Sequence, residues 1–171
     1  WKIQGFSRAL CKMSRGIDIL KKKLFPFLVF SSVVLLDYIT KKLIEIYVKP
    51  HEVINVFPFL RIVNIKNTGA AFGLFANLGN NIFIIISLIA IILIILYLLR
   101  TDDEIETLSL SMILGGAIGN LIDRITISQV IDFIDFFVGK WHWPAFNVAD
   151  SALTIGIFLF LLANIRHWRR H

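Results

Sequence analysis

Four aspartates, Asp37, Asp123, Asp132 and Asp150, lie inside or beside long apolar runs. An ionisable side chain at membrane depth is costly and usually faces a cavity or a partner. Asp132 stands in Val130-Ile131-Asp132-Phe133, and Asp150 in Phe146-Asn147-Val148-Ala149-Asp150-Ser151. Desolvation disfavours the ionised form of a carboxyl so placed, and two that approach each other keep one proton between them. The ionised member can take a proton from water as it attacks a carbonyl carbon. The protonated member can donate to the carbonyl oxygen and then to the leaving nitrogen. Such a pair hydrolyses peptides without a metal. A structural use is equally open on spacing alone: Asp150 as a helix N-cap, Asp132 as a loop acid paired with Arg or Lys.

Three further motifs carry polar groups beside apolar runs. In Gly115-Gly116-Ala117-Ile118-Gly119-Asn120-Leu121-Ile122-Asp123-Arg124, Gly115 and Gly119 form a GxxxG pattern that lets helices approach closely in lipid. Asn120, Asp123 and Arg124 follow at helical spacing. Asp123 and Arg124 are expected to form ion pairs that order the chain leading to Asp132, and a direct catalytic role for Asp123 is the second choice. In Asn67-Thr68-Gly69-Ala70-Ala71-Phe72-Gly73, small residues admit a ligand backbone that Asn67 can hydrogen-bond; a plain turn fits the same residues. Asp37 and Lys41 are an i, i+4 pair whose mutual neutralisation lowers the cost of burial. The histidines His51, His142, His167 and His171 form no HExxH and no cluster with acids, so metal hydrolysis fits poorly. Ser151 and Thr154 have no nearby base for a serine mechanism.

The elements that hold these residues are long apolar segments. Of 171 residues 57% are hydrophobic and 18% charged, outside the usual balance of a soluble domain. Four spans are expected: 24–44, 82–99, 107–122 and 148–165, the third closed by Asp123-Arg124 and short for a core of ~30 Å. The single cysteine, Cys11, excludes an intrachain disulfide and has no apolar stretch before it that would mark a secretory or lipidation signal.

The net charge of +6 is unevenly spread. Lys2, Arg8, Lys12, Arg15, Lys21, Lys22 and Lys23 precede the first span, Arg100 closes the second, and Arg166, Arg169 and Arg170 end the chain. These outnumber Lys41, Lys42, Lys49, Arg61, Lys66, Arg124 and Lys140 on the other side, so both termini are expected in the cytoplasm. Basic charge beside spans fixes topology and meets anionic lipid, which replaces nucleic-acid binding as its reading. With this topology all four aspartates and Asn67 gather at the extracytoplasmic face. There, 57–67 alternates like a short strand or hairpin, and the aromatic stretch 125–146 suits interfacial anchoring.

Taken together, Asp37-x-x-Thr40-Lys41, the Asn67 to Gly73 motif, the Gly115 to Arg124 motif, Val130-x-Asp132-Phe133 and Phe146-Asn147-x-Ala149-Asp150-Ser151 resemble lipoprotein signal peptidase, also called signal peptidase II. The resemblance covers about 24–166. It implies an aspartic endopeptidase of the bacterial inner membrane that cuts a diacylglyceryl-modified prolipoprotein just before the lipidated cysteine. Asp132 and Asp150 would be the catalytic dyad; Asp37, Lys41, Asn67, Gly116, Asn120, Asp123, Arg124 and Asn147 would shape and support the site. Tyr38 stands where members often carry a polar residue. The implied architecture is an all-α membrane protein with four transmembrane helices, a small extracytoplasmic β platform and an interfacial helix. Around the peptidase domain (24–166) lie a basic arm (1–23) and a short tail (167–171). No cofactor is implied, a monomer is expected, and the cyclic peptide globomycin should inhibit.

Two other classes compete. A small transporter would bury acids too, but near the midplane and with a polar path to the cytoplasm. A structural assembly factor gives no reason for polar motifs gathered on one side. A peptidase requires a groove open to lipid, which the segments 59–72 and the aromatic stretch before Asn147 are expected to flank.

Overall fold

Residues 2–69 and 79–168 are described by the computed structural model, their side chains from 24 to 69 and from 79 to 166. In chain order the elements are α1 (Lys2–Tyr47), β1 (Val53–Phe57), β2 (Leu60–Asn67), α2 (Asn80–Leu98), α3 (Glu104–Ile127), β3 (Val130–Val138), β4 (Trp141–His142) and α4 (Val148–Trp168). These four helices are the helical elements among the described residues, so an interfacial helix is not found there. The residues Ala70, Ala71, Phe72 and Gly73 of the third motif lie outside the described residues.

Each helix is long and apolar enough to cross a bilayer, over Leu24–Tyr47, Asn80–Leu98, Glu104–Ile127 and Val148–Arg166. The chain is a multi-pass membrane protein. α2 has the highest mean hydropathy, 3.0, and buries no residue in the protein, whereas α3, at 1.5, has half of its span buried. Soluble packing would reverse that order; in lipid the most apolar helix is the one with the most lipid contact. α3 is the central post, with α1, α2 and α4 against it. The basic arm is helical from Lys2 and runs into the first span without a break, across Pro26.

The third span is longer than its composition suggests. Asp103 caps α3, its carboxylate accepting from the N–H groups of Ile105 and Glu106 at 2.8 and 2.9 Å, so the helix starts in the acidic turn. It ends at Ser128, which takes the left-handed conformation at φ 59°. Asp123 and Arg124, expected at helical spacing at the close of the span, are therefore followed by nearly one more turn of helix. The helices meet through glycine. A Cβ on Gly115 would lie 2.7 Å from Val33 Cβ of α1; on Gly116, 2.5 Å from the Ala149 carbonyl oxygen of α4; on Gly119, 2.6 Å from Asp37 Oδ2.

The strands form one antiparallel sheet in the order β1-β2-β3-β4. β1 and β2 form a hairpin whose second strand is the one expected within 57–67, while β1 lies almost wholly before that segment. β3 was hidden in the aromatic stretch, where no alternation separates the two faces: Val130, Ile131, Asp132 and Phe133 are all buried. Asp132 is thus a strand residue, not a loop acid. Ile131 and Phe133 pack with Ile44 of α1 and with Val48 just past its end, fastening the sheet to one end of the bundle.

The glycine contacts set a measurable limit. Gly116→Ala should lower thermal stability of the detergent-solubilised protein by about 1–3 kcal/mol through overpacking, outweighing a helix-propensity gain of at most ~1 kcal/mol. Gly139→Ala, where the added Cβ meets nothing within 4 Å and only the φ of +61° resists, should cost about 1 kcal/mol. Equal losses at the two sites would show that the close approach of α3 and α4 is not limiting.

Candidate active site

One ammonium group organises the polar end of the bundle. Lys41 Nζ lies 2.7 Å from Asp37 Oδ2, one turn away on α1, and 2.9 Å from Asp123 Oδ2 on α3. It also donates to Asn120 Oδ1 at 3.1 Å. The side chains of Asp37 and Lys41 are 1% and 3% exposed, so each charge has exchanged water for a fixed partner. Both aspartates serve a second element. Asp37 Oδ1 accepts from the Ala149 N–H of α4 at 2.9 Å, and Asp123 Oδ2 accepts from the Ile131 N–H of β3 at 3.1 Å.

The start of α4 is a capping box. Asn147 Oδ1 accepts from the Asp150 N–H at 2.9 Å, while Asp150 Oδ2 accepts from the Asn147 N–H at 3.3 Å. Asn147, not Asp150, is the N-cap; Asp150 stands three residues on, closing the box with one oxygen. Its other oxygen accepts from Asn120 Nδ2 at 2.8 Å. The negative charge also sits where the helix macrodipole favours it.

Asp132 enters from the sheet. Ile65 is its register partner across β2, which makes Asn67 the diagonal neighbour on the same face. Asn67 Nδ2 donates to Asp132 Oδ2 at 2.9 Å, and Asn147 Nδ2 donates to Oδ1 at 2.8 Å. Burial, then the charge of Asp150, push the Asp132 carboxyl up to about 7, against the pull of these two amides and of Lys41. Asp132 and Asp150 line one cavity of about 690 Å³ with Asn67, Asn120 and Arg124 at its polar end. The rest of its wall is apolar, with Phe83 and Ile86 from α2 facing Leu153 and Ile155 from α4. The full set has two cations, Lys41 and Arg124, against four aspartates, and this surplus of negative charge favours keeping one proton on the pair.

Every supporting residue named from the sequence reaches this end of the molecule, with different duties from those expected in two cases. Asp123 pairs with Lys41 as an ion-pair reading requires, but it lines a separate cavity of about 150 Å³ with Tyr38, Lys42 and Thr126, away from the groove of Asp132 and Asp150. Arg124 is not the cation of an Asp123 pair. It donates to the Gly69 carbonyl at 2.6 Å and lies 4.4 Å above the Phe83 ring. Glycine's role is packing: Gly116 is the point where α3 touches the first turn of α4.

Two clusters escaped the sequence reading. Asp135 on β3 accepts from Arg61 Nε at 2.6 Å and contacts His142 Nδ1 at 3.1 Å, an arrangement visible only once β2, β3 and β4 are paired. Asn80 donates to the Arg124 carbonyl at 2.8 Å, and an Asn-Asn step just before an apolar run was its only signal. At the opposite end, Glu106 accepts from Thr101 Oγ1 at 2.5 Å. Between Ser111 and Asn120 the buried face of α3 holds Leu114, Gly115, Gly116 and Gly119, which interrupts any polar path along it.

Comparison with known proteins gives a consistent picture. A family model described as signal peptidase (SPase) II matches residues 29–166. A lipoprotein signal peptidase of Thermodesulfovibrio yellowstonii is 44% identical over 135 residues, 78% of this chain and 90% of that protein. One from Anaplasma phagocytophilum is 37% identical over 149 residues, 86% of this chain and 96% of that protein. Among solved structures, one described as a bacterial membrane enzyme superposes with a TM-score of 0.76 at 35% identity, covering 83% of this chain and 88% of the other.

The ammonium group is the point of greatest vulnerability. Lys41→Met leaves Asp37 and Asp123 buried without their cation and should cost about 3–5 kcal/mol in thermal unfolding. Adding Asp37→Asn should recover part of that loss, because one of the stranded charges is removed. If the double variant is less stable than Lys41→Met alone, the charge balance is not what holds this end together.

Proposed function

The chain belongs to the signal peptidase II family, and on that premise we propose that it removes the signal peptide of diacylglyceryl-modified prolipoproteins by aspartic peptidase chemistry. The observation that carries the assignment of roles is the placement of Asp132 and Asp150 on one open-sided cavity, held by the linked amides of Asn147 and Asn120. Asp132, whose carboxyl is pushed up to about 7, suits the member that holds the proton; Asp150, fixed in the capping box, suits the ionised base. Water attacks the scissile carbonyl as Asp150 takes its proton. Asp132 protonates the carbonyl oxygen, giving a gem-diol; the C–N bond then breaks as the proton gained by Asp150 goes to the leaving nitrogen and one gem-diol proton returns to Asp132. Asn67 and Asn147 fix the Asp132 carboxyl in place throughout.

The apolar wall from α2 and α4 suits a signal peptide that stays in the bilayer while its cleavage site meets the dyad at the polar end. The acyl chains of the modified cysteine would rest on the exposed apolar surface beside the groove. Lys and Arg asymmetry supports an inner-membrane protein with both termini cytoplasmic and the dyad toward the extracytoplasmic face. Globomycin, as an inhibitor of the family, should compete for the groove. A monomer suffices, since every residue assigned a role comes from one chain.

The test is cleavage of a diacylglyceryl-modified prolipoprotein by the purified protein in lipid nanodiscs. Asp132→Asn and Asp150→Asn should each lower turnover by about 10²–10⁴-fold with folding intact. Asp123→Asn should cost less activity and more stability. An inactive wild type would overturn the reading, and an active Asp132→Asn would move the dyad elsewhere. Because the pair needs one proton, kcat/KM should fall as pH rises through about 7. Asn67→Ala removes a hydrogen bond that stabilises the ionised Asp132, so its carboxyl holds the proton to higher pH and the alkaline limb should move up.

A further inference from the structure

α2 buries no residue and carries none of the groups assigned so far to catalysis, yet its first turn is tied to the polar end of the bundle at three points. Asn80 Nδ2 donates to the Arg124 carbonyl at 2.8 Å, Arg124 Nη1 reaches back to Asn80 Oδ1 at 3.5 Å, and the guanidinium lies 4.4 Å above the Phe83 ring. Asn80 and Phe83 are one turn apart, on the same face of the helix. They hold Arg124 by its backbone carbonyl and by the ring face beneath its guanidinium carbon.

The consequences run outward from Arg124. Its Nη2 donates to the Gly69 carbonyl at 2.6 Å, and the Gly69 N–H donates to Asn67 Oδ1 at 2.9 Å. That bond settles which way the Asn67 amide points: with Oδ1 held by Gly69, Nδ2 is the end that meets Asp132 Oδ2 at 2.9 Å. A flipped amide would offer oxygen to oxygen, repelling the ionised carboxylate. We infer that Asn80 and Phe83 are positioning residues for the peptidase reaction, acting through Arg124 and Gly69 to hold the Asn67 amide toward Asp132. Lysine could not replace Arg124 here, because a forked cation is needed to lie over Phe83 while one nitrogen bonds Gly69 and another reaches Asn80.

This rests on the peptidase reading, and its test separates the two. Cleavage of the diacylglyceryl-modified prolipoprotein is measured for wild type, Asn80→Ala, Phe83→Leu, Phe83→Tyr, Arg124→Lys and the double variant Phe83→Leu/Arg124→Lys, in nanodiscs, with melting temperature recorded for each. Phe83→Leu and Asn80→Ala should lower kcat/KM about three- to thirtyfold, the span expected for losing a partly desolvated cation–π contact or its equivalent. Phe83→Tyr keeps the ring face and should recover most of the activity that Phe83→Leu loses, whereas Ile89→Ala, on the exposed side of α2 and outside the groove lining, should stay within about twofold of wild type. The double variant should lose no more than about twofold beyond Arg124→Lys alone, because Phe83 has nothing left to position. The alkaline limb should move up in Phe83→Leu as it does in Asn67→Ala, which a general loosening of the helix would not cause. Wild-type activity with fully multiplicative losses in the double variant, or with Phe83→Leu and Asn80→Ala both unimpaired, overturns the inference and leaves the peptidase reading standing. An inactive wild type overturns that reading instead.

Discussion

A lysine ammonium buried between two helices is the constraint on which the rest of the molecule depends. Lys41 pairs with both Asp37 and Asp123 and orients Asn120, so α1 and α3 are joined by charge at the level where the sheet begins. Two charges so deep in the protein are tolerable only with fixed partners. Those partners then reach further: Asp37 to the first turn of α4, Asp123 to the start of β3. Asp132 and Asp150 stand at the ends of these two reaches. Their positions are inherited from an ion cluster to which neither belongs.

The division of labour among the helices follows from the solvent. α3 is buried on several sides and carries glycine where it meets α1 and α4, since lipid supplies no hydrophobic pressure and close backbone approach must replace it. α2 sits among lipid and offers the groove an apolar wall with one polar turn at its end. The sheet contributes what helices cannot, a strand whose diagonal neighbours put a carboxylate and an amide on one face. A carboxyl pair built from one strand and one helix start combines a donor cradle of side-chain amides with a helix terminus that favours negative charge.

Much of this was legible from the chain because membranes simplify patterns. Apolar length marks spans, lysine and arginine mark sides, and an acid beside a span stands out. The end of α3 was misjudged because Asp123 and Arg124 look like the close of a span; their partners, Lys41 and the Gly69 carbonyl, are distant in sequence and keep them helical. β3 was missed because burial on both faces erases the two-residue period that identifies a strand. The Arg61, Asp135 and His142 cluster needed the register of three strands before its members became neighbours. Asn147 was recognisable as a site residue, but its use as both helix cap and amide donor to Asp132 appears only when the strand and the helix are seen together.

Helix ends ordinarily fray, opening and closing far more often than the whole molecule unfolds. The start of α4 has lost that freedom. Its N–H groups at Ala149 and Asp150 are engaged by Asp37 and Asn147, and the Asn147 N–H by Asp150. Opening this one turn therefore releases a carboxylate of α1, the box that holds Asp150 and the amide that holds Asp132, all at once. A fluctuation at this one point therefore disturbs both carboxylates of the pair together, leaving each with a single amide, Asn67 for Asp132 and Asn120 for Asp150.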